Sequence, residues 1–375
     1  MTIDYNKLSV RIHLDNLRHN FRLYKKLHDN VIPVIKSDAY GHGLAEVCRA
    51  LEPEGATTFA AGFVPEAAKL RETGCTARIL ALLGPVDDGD IELLFKHDVL
   101  AAISHLDQLK RVAAAAEQNG PLDIGLKFDT GMRRLGFRPD ELDAAIDVIR
   151  GSRLNPVMAT SHLASADVPE HRANVEGQIA AFQAMVDRLA DAGYPVEANI
   201  ANSAGALVFE RCRMDSLRQG ITLYGGNPFD GTELESLGRE FLPAMEVTAP
   251  VMQVHDLKKG ESISYGWTYT AEHDSTVAII GVGYADNYSR KLSNAGEMLI
   301  HGKRAPIRGR ICMQMTAVDV TGHMSEGLAV APGDRAFLLG GPGPDAITPK
   351  ELAGWWGTID YEVFCLLGMN RRVYT

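Results

Sequence analysis

Between Val31 and Tyr224 the chain alternates short apolar runs with longer amphipathic stretches. The apolar runs fall at 31–35, 58–64, 78–83, 98–103, 123–129, 156–162, 197–201 and 217–223. They have strand length and little polar alternation, the pattern of strands buried on both faces. Between them the apolar period lengthens. Leu14, Leu17, Phe21, Tyr24 and Leu27 recur at helical spacing with Asp15 placed to cap, and 175–192 reads as a further helix. Eight strands separated by helices over roughly 225 residues predict an α/β fold, a (β/α)8 TIM-like barrel. A doubly wound open sheet competes, but no Gly-x-Gly-x-x-Gly follows the first strand.

Beyond Phe241 the texture changes. Segments 248–254, 276–283, 298–300, 305–307 and 317–320 are β-rich, and Gly260, Gly296, Gly302, Gly309 and Gly333 punctuate them. They predict a separate, mostly β domain ending near 330–340, followed by helical stretches at 348–356 and 361–367. The glycine-rich segment 225–231 marks the boundary, giving a barrel over 1–235 and a C-terminal β domain with short terminal helices over 236–375. No internal repeat or low-complexity segment is evident.

Composition narrows the class. With 375 residues, 46% hydrophobic and 23% charged, the chain can bury a large core without disulfides or metals. A formal net charge of −10 and the lack of a basic run argue against nucleic acid as partner. The five cysteines are scattered, with no Cys-x-x-Cys, so neither a disulfide framework nor a zinc site is expected. No leader-like h-region or membrane-length apolar segment is seen, which makes the cytoplasm the expected location.

Candidate chemistry begins at Lys36, where an apolar run ends in a lysine and breaks into a glycine-rich turn. A lysine partly desolvated at a strand end loses its proton more readily and becomes nucleophilic, the setting for Schiff-base chemistry. The bland alternative is a lysine snorkelling off the strand end. Catalytic residues of such barrels collect at the C-terminal ends of strands. There the chain places Lys127 and Asp129, His162, Asn202 and Ser203, and Arg218, Gly220 and Tyr224 along the eighth run. Ser203 and the backbone at Gly220 and Ile221 occupy the region where barrels often bind phosphate. A Schiff-base lysine facing a phosphate site points to pyridoxal 5′-phosphate (PLP) or to an aldolase acting on a sugar phosphate.

Nine stretches then carry a resemblance to a known family. They include Val34-Ile-Lys-Ser-Asp-Ala-Tyr-Gly-His-Gly43, Lys127-Phe-Asp-Thr-Gly-Met-Arg-Arg-Leu-Gly-Phe137, Ala201-Asn-Ser-Ala-Gly205, Arg218-Gln-Gly-Ile-Thr-Leu-Tyr-Gly225, Gly260-Glu-Ser-Ile-Ser-Tyr-Gly266, Gly309-Arg-Ile-Cys-Met313 and Thr358-Ile-Asp-Tyr-Glu362. In this order they resemble the alanine racemase family along nearly the whole chain. The resemblance implies a PLP-dependent racemase of alanine, using two bases and supplying D-alanine for peptidoglycan. It also implies a homodimer whose active sites are shared between subunits. Lys36 would carry the cofactor. Tyr40, Ser203, Tyr361, Gly220 and Ile221 would hold its phosphate. Arg134 would contact its phenolic oxygen and the substrate carboxylate, aided by the Met313 backbone. Tyr265 would serve the substrate face opposite Lys36, with His162 and Arg218 forming its network and Arg218 meeting the ring nitrogen. No metal ligand is implied.

Each assignment has a plainer alternative: Tyr265 packed on the β domain, Arg218 paired with Asp215, Lys127 paired with Asp129, His162 a hydrogen-bonded barrel residue, and Tyr361 a packed helix residue. In the resemblance Lys127 is a candidate for carbamylation, orienting Arg134. Arg133, Gln219 and Gln314 depart from the family pattern, which opens the substrate range to serine or other amino acids. A PLP-dependent decarboxylase, a non-catalytic PLP-binding protein and the Schiff-base aldolase are the remaining alternatives. The second is disfavoured by the C-terminal domain.

Overall fold

The computed structural model describes residues 6–375, which divide into two compact units. One comprises Leu17–Ala39 and Leu44–Leu242. The other comprises the described part of Met1–Asn16 with Tyr40–Gly43 and Pro243–Thr375.

Strand β1 (Ser9–Ile12) belongs to the second unit. The first unit holds β2 (Val31–Pro33), β3 (Thr58–Ala61), β4 (Arg78–Ala81), β5 (Val99–Ile103), β6 (Leu122–Lys127), β7 (Leu154–Thr160), β8 (Glu197–Asn199) and β9 (Leu217–Gln219). Strands β3 to β8 form a parallel sheet in chain order, and β2 pairs in parallel with β9. Two seams complete the ring. A bridge between Val34 and Ala60 joins β2 to β3, and the Asp215 and Arg218 N–H groups donate to the Ala198 and Ala201 carbonyls at 3.2 and 3.1 Å. All eight expected strands thus occur, as a barrel with short pairings at its seams. Their side chains are almost wholly buried, since helices cover the outside and side chains fill the inside. Helix Leu14–Lys25 presents Leu17, Phe21 and Tyr24 as its buried face.

The eighth strand is shorter than its apolar run. It stops at Gln219, and Ile221–Tyr224 winds into a 3-10 turn closed by Leu223 N–H on the Gly220 carbonyl at 2.9 Å. Arg218 therefore lies on the strand, whereas Gly220 and Tyr224 do not.

The second unit carries β10 (Met245–Leu257), β11 (Ser262–Ile263), β12 (Tyr269–Thr270), β13 (Ser275–Ile280), β14 (Glu297–Ile300), β15 (Lys303–Pro306), β16 (Thr316–Asp319), β17 (Arg335–Leu339) and β18 (Arg372–Tyr374). The long β10 is central, pairing antiparallel with β1, β13 and β17. Irregularities in its register, between Val251 and Gln253 towards β13 and between Val247 and Thr248 towards β17, accompany this change of partners. β1 and β18 pair in parallel at the sheet edge. The sheet thus runs on past the 330–340 region into β18, and helices Pro349–Trp356 and Asp360–Leu367 lie between its last two strands. Among the described residues no helix is long and apolar enough to cross a membrane.

Candidate active site

Lys36 follows β2 and opens an unusual turn. Ser37, Asp38 and Ala39 all adopt left-handed helical angles (φ 53–55°, ψ 47–51°), and Tyr40 also has positive φ, 52°. For L-residues this conformation costs roughly 1–2 kcal/mol each, so tertiary contacts must impose it. The Glu66 carboxylate is one such contact, accepting from Asp38 N–H at 2.9 Å and from Gly62 N–H at 2.7 Å. The Asp38 carboxylate in turn accepts from Leu44 N–H at 2.7 Å. Gly62 leaves room beside the lysine, since a Cβ there would crowd Lys36 Cβ at 3.3 Å and the Glu66 carboxylate at 3.2 Å. The Lys36 side chain itself is exposed, contrary to the buried strand-end lysine expected. It stands beyond the last residue of β2, where helices no longer cover it.

Deeper in the same unit, Arg218 is 3% exposed. Its guanidinium donates to Thr160 Oγ1 (2.7 Å), to the Asn199 carbonyl (3.0 Å) and side-chain oxygen, and to the Ser161 and Ile200 carbonyls. It also lies 3.3 Å from His162 Nδ1. This removes the Asp215 alternative, since that carboxylate instead accepts from Ala198 N–H at 2.7 Å. Burial lowers the Arg218 pKa to about 10, which still leaves it charged at neutral pH. An arginine cannot accept, so His162 Nδ1 must be the acceptor and the ring proton sits on Nε2. Burial, and then the charges of Arg218, Lys127, Lys36 and Arg134, hold His162 well below the ordinary histidine range, so it is neutral.

Lys127, at the end of β6, is 8% exposed. Burial, followed by the charges of Arg218, Arg134 and Lys36, brings its pKa down to about 7. The Asp129 alternative fails, because Asp129 Oδ1 is engaged by the N–H groups of Gly131 and Arg133 at 2.9 and 3.0 Å. That turn places Arg133 at φ 59° and leaves Arg133 and Arg134 exposed. Lys127, Phe128, Asp129, Met132, Arg134, Leu135, Ser161 and His162 line a small pocket. Between pH 7 and about 10.5 the unfolded chain retains a Lys127 proton that the folded chain has released, so this group makes stability rise with pH in that window. Lys127→Met in carbon-dioxide-free buffer is therefore expected to raise the thermal midpoint at pH 7, with a gain that shrinks towards pH 10.5. A constant offset across pH would contradict this.

Ser203 opens a short helix capped by Asn202, whose Oδ1 accepts from Gly205 N–H at 2.9 Å. Ser203 Oγ accepts from Gly220 N–H (2.9 Å) and Thr222 Oγ1 (3.2 Å), which leaves its own proton to give to an anion. Gln219 faces the helix side, donating to the Asn20 carbonyl at 2.9 Å, so this departure does not reach the mouth.

The remaining candidates lie in the second unit. Tyr40 and Tyr361 form a ring pair with centroids 5.9 Å apart. The backbones of Gly41 and Gly368 touch so closely that a Cβ on Gly368 would fall 2.1 Å from the Gly41 carbonyl oxygen, which also accepts from Arg372 at 3.1 Å. Tyr265 is 70% exposed, in a turn between Ser264 (φ 65°) and Gly266 (φ 71°), which contradicts a tyrosine packed on the domain. Ser264 Oγ donates to the Arg310 carbonyl and lies 3.4 Å from Cys312 Sγ, tying that turn to the loop bearing Met313. Met313 and Gln314 are exposed there, and Ala285 N–H holds the Met313 carbonyl at 3.0 Å.

The structure thus gathers Lys36, Lys127, Arg134, His162 and Arg218 at one barrel mouth, where the charges bearing on Lys127 and His162 are all positive. A cationic excess of this kind fits an anionic ligand, and with Ser203 and the Gly220–Ile221 backbone it fits a phosphorylated one bound through an amine. Glu66, Thr160 and Asn199 were missed by sequence reasoning. Thr160 and Asn199 end strands and were open to the same argument as His162, but Glu66 carries no local signal.

Models of the alanine racemase N-terminal and C-terminal domains match residues 12–228 and 244–374. An alanine racemase of Nitratidesulfovibrio vulgaris is 49% identical over 375 residues, covering 100% of both chains. One of Lawsonia intracellularis is 42% identical, covering 97% of this chain and 96% of its own. The crystal structure of alanine racemase from a D-cycloserine-producing Streptomyces lavendulae matches with a TM-score of 0.90 and 31% identity, covering 100% of this chain and 98% of that one.

Proposed function

The chain belongs to the alanine racemase family and interconverts L- and D-alanine, and on that premise we propose that it works with PLP at the barrel mouth. The observation that carries this reading is the cationic cluster around Lys127, His162 and Arg218 beside an exposed Lys36. When bound, the cofactor withdraws electrons from the substrate α-carbon and so acidifies its hydrogen. Lys36 anchors the cofactor and carries a proton on one face. Ser203, Gly220, Ile221, Tyr40 and Tyr361 hold the phosphate. Arg134 and the Met313 backbone orient the substrate carboxylate. Tyr265 carries the proton on the other face, and the neutral His162 offers its Nε2–H to the Tyr265 oxygen. Lys127, a partly free amine near pH 7, is suited to carbamylation, which would convert a repulsive neighbour of Arg134 into an attractive one. The setting is cytoplasmic, and the product serves peptidoglycan.

We assign Tyr265 to a site completed by a second copy of the chain. Its exposure supports this. Lys36→Ala and Tyr265→Ala chains should each be inactive alone. If sites are shared, mixing and reassociating them restores about a quarter of wild-type activity, because half the dimers are mixed and each has one intact site. No recovery in verified heterodimers would exclude sharing. The reaction itself is tested with each alanine enantiomer in deuterated water, where racemisation with α-deuterium is expected and binding without exchange would refute it. Arg133 and the exposed Gln314 favour a broader substrate range, so serine belongs in the same assay.

A further inference from the structure

Away from the lysine cluster, the barrel unit brings two cysteines and a glutamate together. Cys48 lies on helix Leu44–Leu51, Glu52 opens the 3-10 turn that follows, and Cys75 lies in the connection between helix Val64–Glu72 and β4. Cys48 and Cys75 are 1% and 4% exposed. Both sulfurs and a Glu52 carboxylate oxygen lie within 4.8 Å of one another, and Cys75 Sγ is 3.7 Å from Glu52 Oε1. A tetrahedral zinc ion with Zn–S bonds of about 2.3 Å has ligand–ligand edges of about 3.7 Å.

The surroundings hold the donors in place. Glu52 Oε1 accepts from Thr76 N–H (2.8 Å), Thr76 Oγ1 (3.0 Å) and Ala77 N–H (3.0 Å), the kind of outer support that orients a ligating carboxylate. These three bonds fix the Glu52 carboxylate beside the two sulfurs. Arg71 donates to the Cys75 and Ala77 carbonyls at 2.7 and 2.9 Å, fixing the same connection and adding positive charge beside a site with three anionic ligands.

We propose that Cys48, Cys75 and Glu52 form a binding site for one thiophilic divalent cation of the zinc class. Binding displaces the two thiol protons to solvent and forms two metal–thiolate bonds and one metal–carboxylate bond, with water as fourth ligand. The ion pins the C-terminal end of helix Leu44–Leu51, which begins directly after the lysine turn, to the edge of β4. It is a structural clasp with no part in proton transfer.

The test uses the untagged full-length holoenzyme, reduced, chelator-treated and desalted. After zinc addition and gel filtration, one zinc per chain is expected, with a higher thermal midpoint. Cobalt should give a thiolate charge-transfer band, a signature independent of any variant. Cys48→Ala and Cys75→Ala should abolish retention, Glu52→Gln should weaken it at least about tenfold, and Cys365→Ser should leave it unchanged. Absence of retained zinc, a cobalt spectrum without the thiolate band, equal retention by both alanine variants, or a Cys48–Cys75 disulfide in the metal-treated protein would each overturn the proposal.

Discussion

Lys36→Ala is expected to give a folded chain with no measurable racemase activity. The side chain is exposed, so its loss removes little burial, and stability should change by only about 0.5 kcal/mol. The left-handed turn is held by Glu66 and Asp38 through backbone N–H groups, none of which involves the lysine amine. Structure and chemistry therefore separate cleanly at this position. The amine has two tasks in the proposed mechanism, anchoring the cofactor and carrying a proton on one face. Loss of acid–base function alone costs about 10²–10⁴-fold, and loss of the anchor adds to it. The variant's cofactor absorbance should become that of the free aldehyde, and a small primary amine added to the medium should restore a trace of exchange. Retained activity with an unchanged spectrum would remove Lys36 from the mechanism.

The second large effect is expected at Arg218. Its guanidinium serves Thr160, Asn199 and the carbonyls of Ser161 and Ile200 while donating towards His162. Arg218→Lys keeps the charge but replaces a planar fork with a single ammonium, so several buried acceptors lose their donor. A stability loss of about 2–4 kcal/mol is expected, read as a lower denaturation midpoint with unchanged slope. Activity should fall at least about 10²-fold, because His162 loses the donor that fixes its tautomer. Arg218→Glu probes the chemistry separately. A carboxyl group can lend a proton to the cofactor's ring nitrogen, whereas arginine at neutral pH does not part with one. Keto acid should then accumulate beside the racemised amino acid. If both variants retain wild-type kinetics, Arg218 is only a packing residue.

The barrel was legible because short, mostly apolar runs recur between helical stretches, a pattern that survives without knowledge of neighbours, even though β8 and β9 carry polar residues. Its eighth member misled at one end, since Ile221 and Leu223 are as apolar as strand residues but turn at Gly220. β1 and β18 were illegible for a different reason. They have four and three residues, and each becomes a strand only through distant partners, β18 through β1 and β1 through both β18 and β10. The polar residues at strand ends were found from position alone, and Arg218 was recognised through the family pattern despite the nearby Asp215. Spacing hid Cys48 and Cys75, because the helix and loop that bring them together are set by tertiary packing. No propensity of Ser37, Asp38 or Ala39 announces a left-handed turn.

That turn has a consequence for how the enzyme matures. An unfolded chain has no reason to visit it, and Glu66 can stabilise it only after Gly62 and the helix bearing Glu66 have docked. Presentation of Lys36 is thus deferred until the surrounding barrel is built. Cofactor capture during refolding should lag behind the return of secondary structure, so the newborn chain acquires its reactive amine as one of its last possessions.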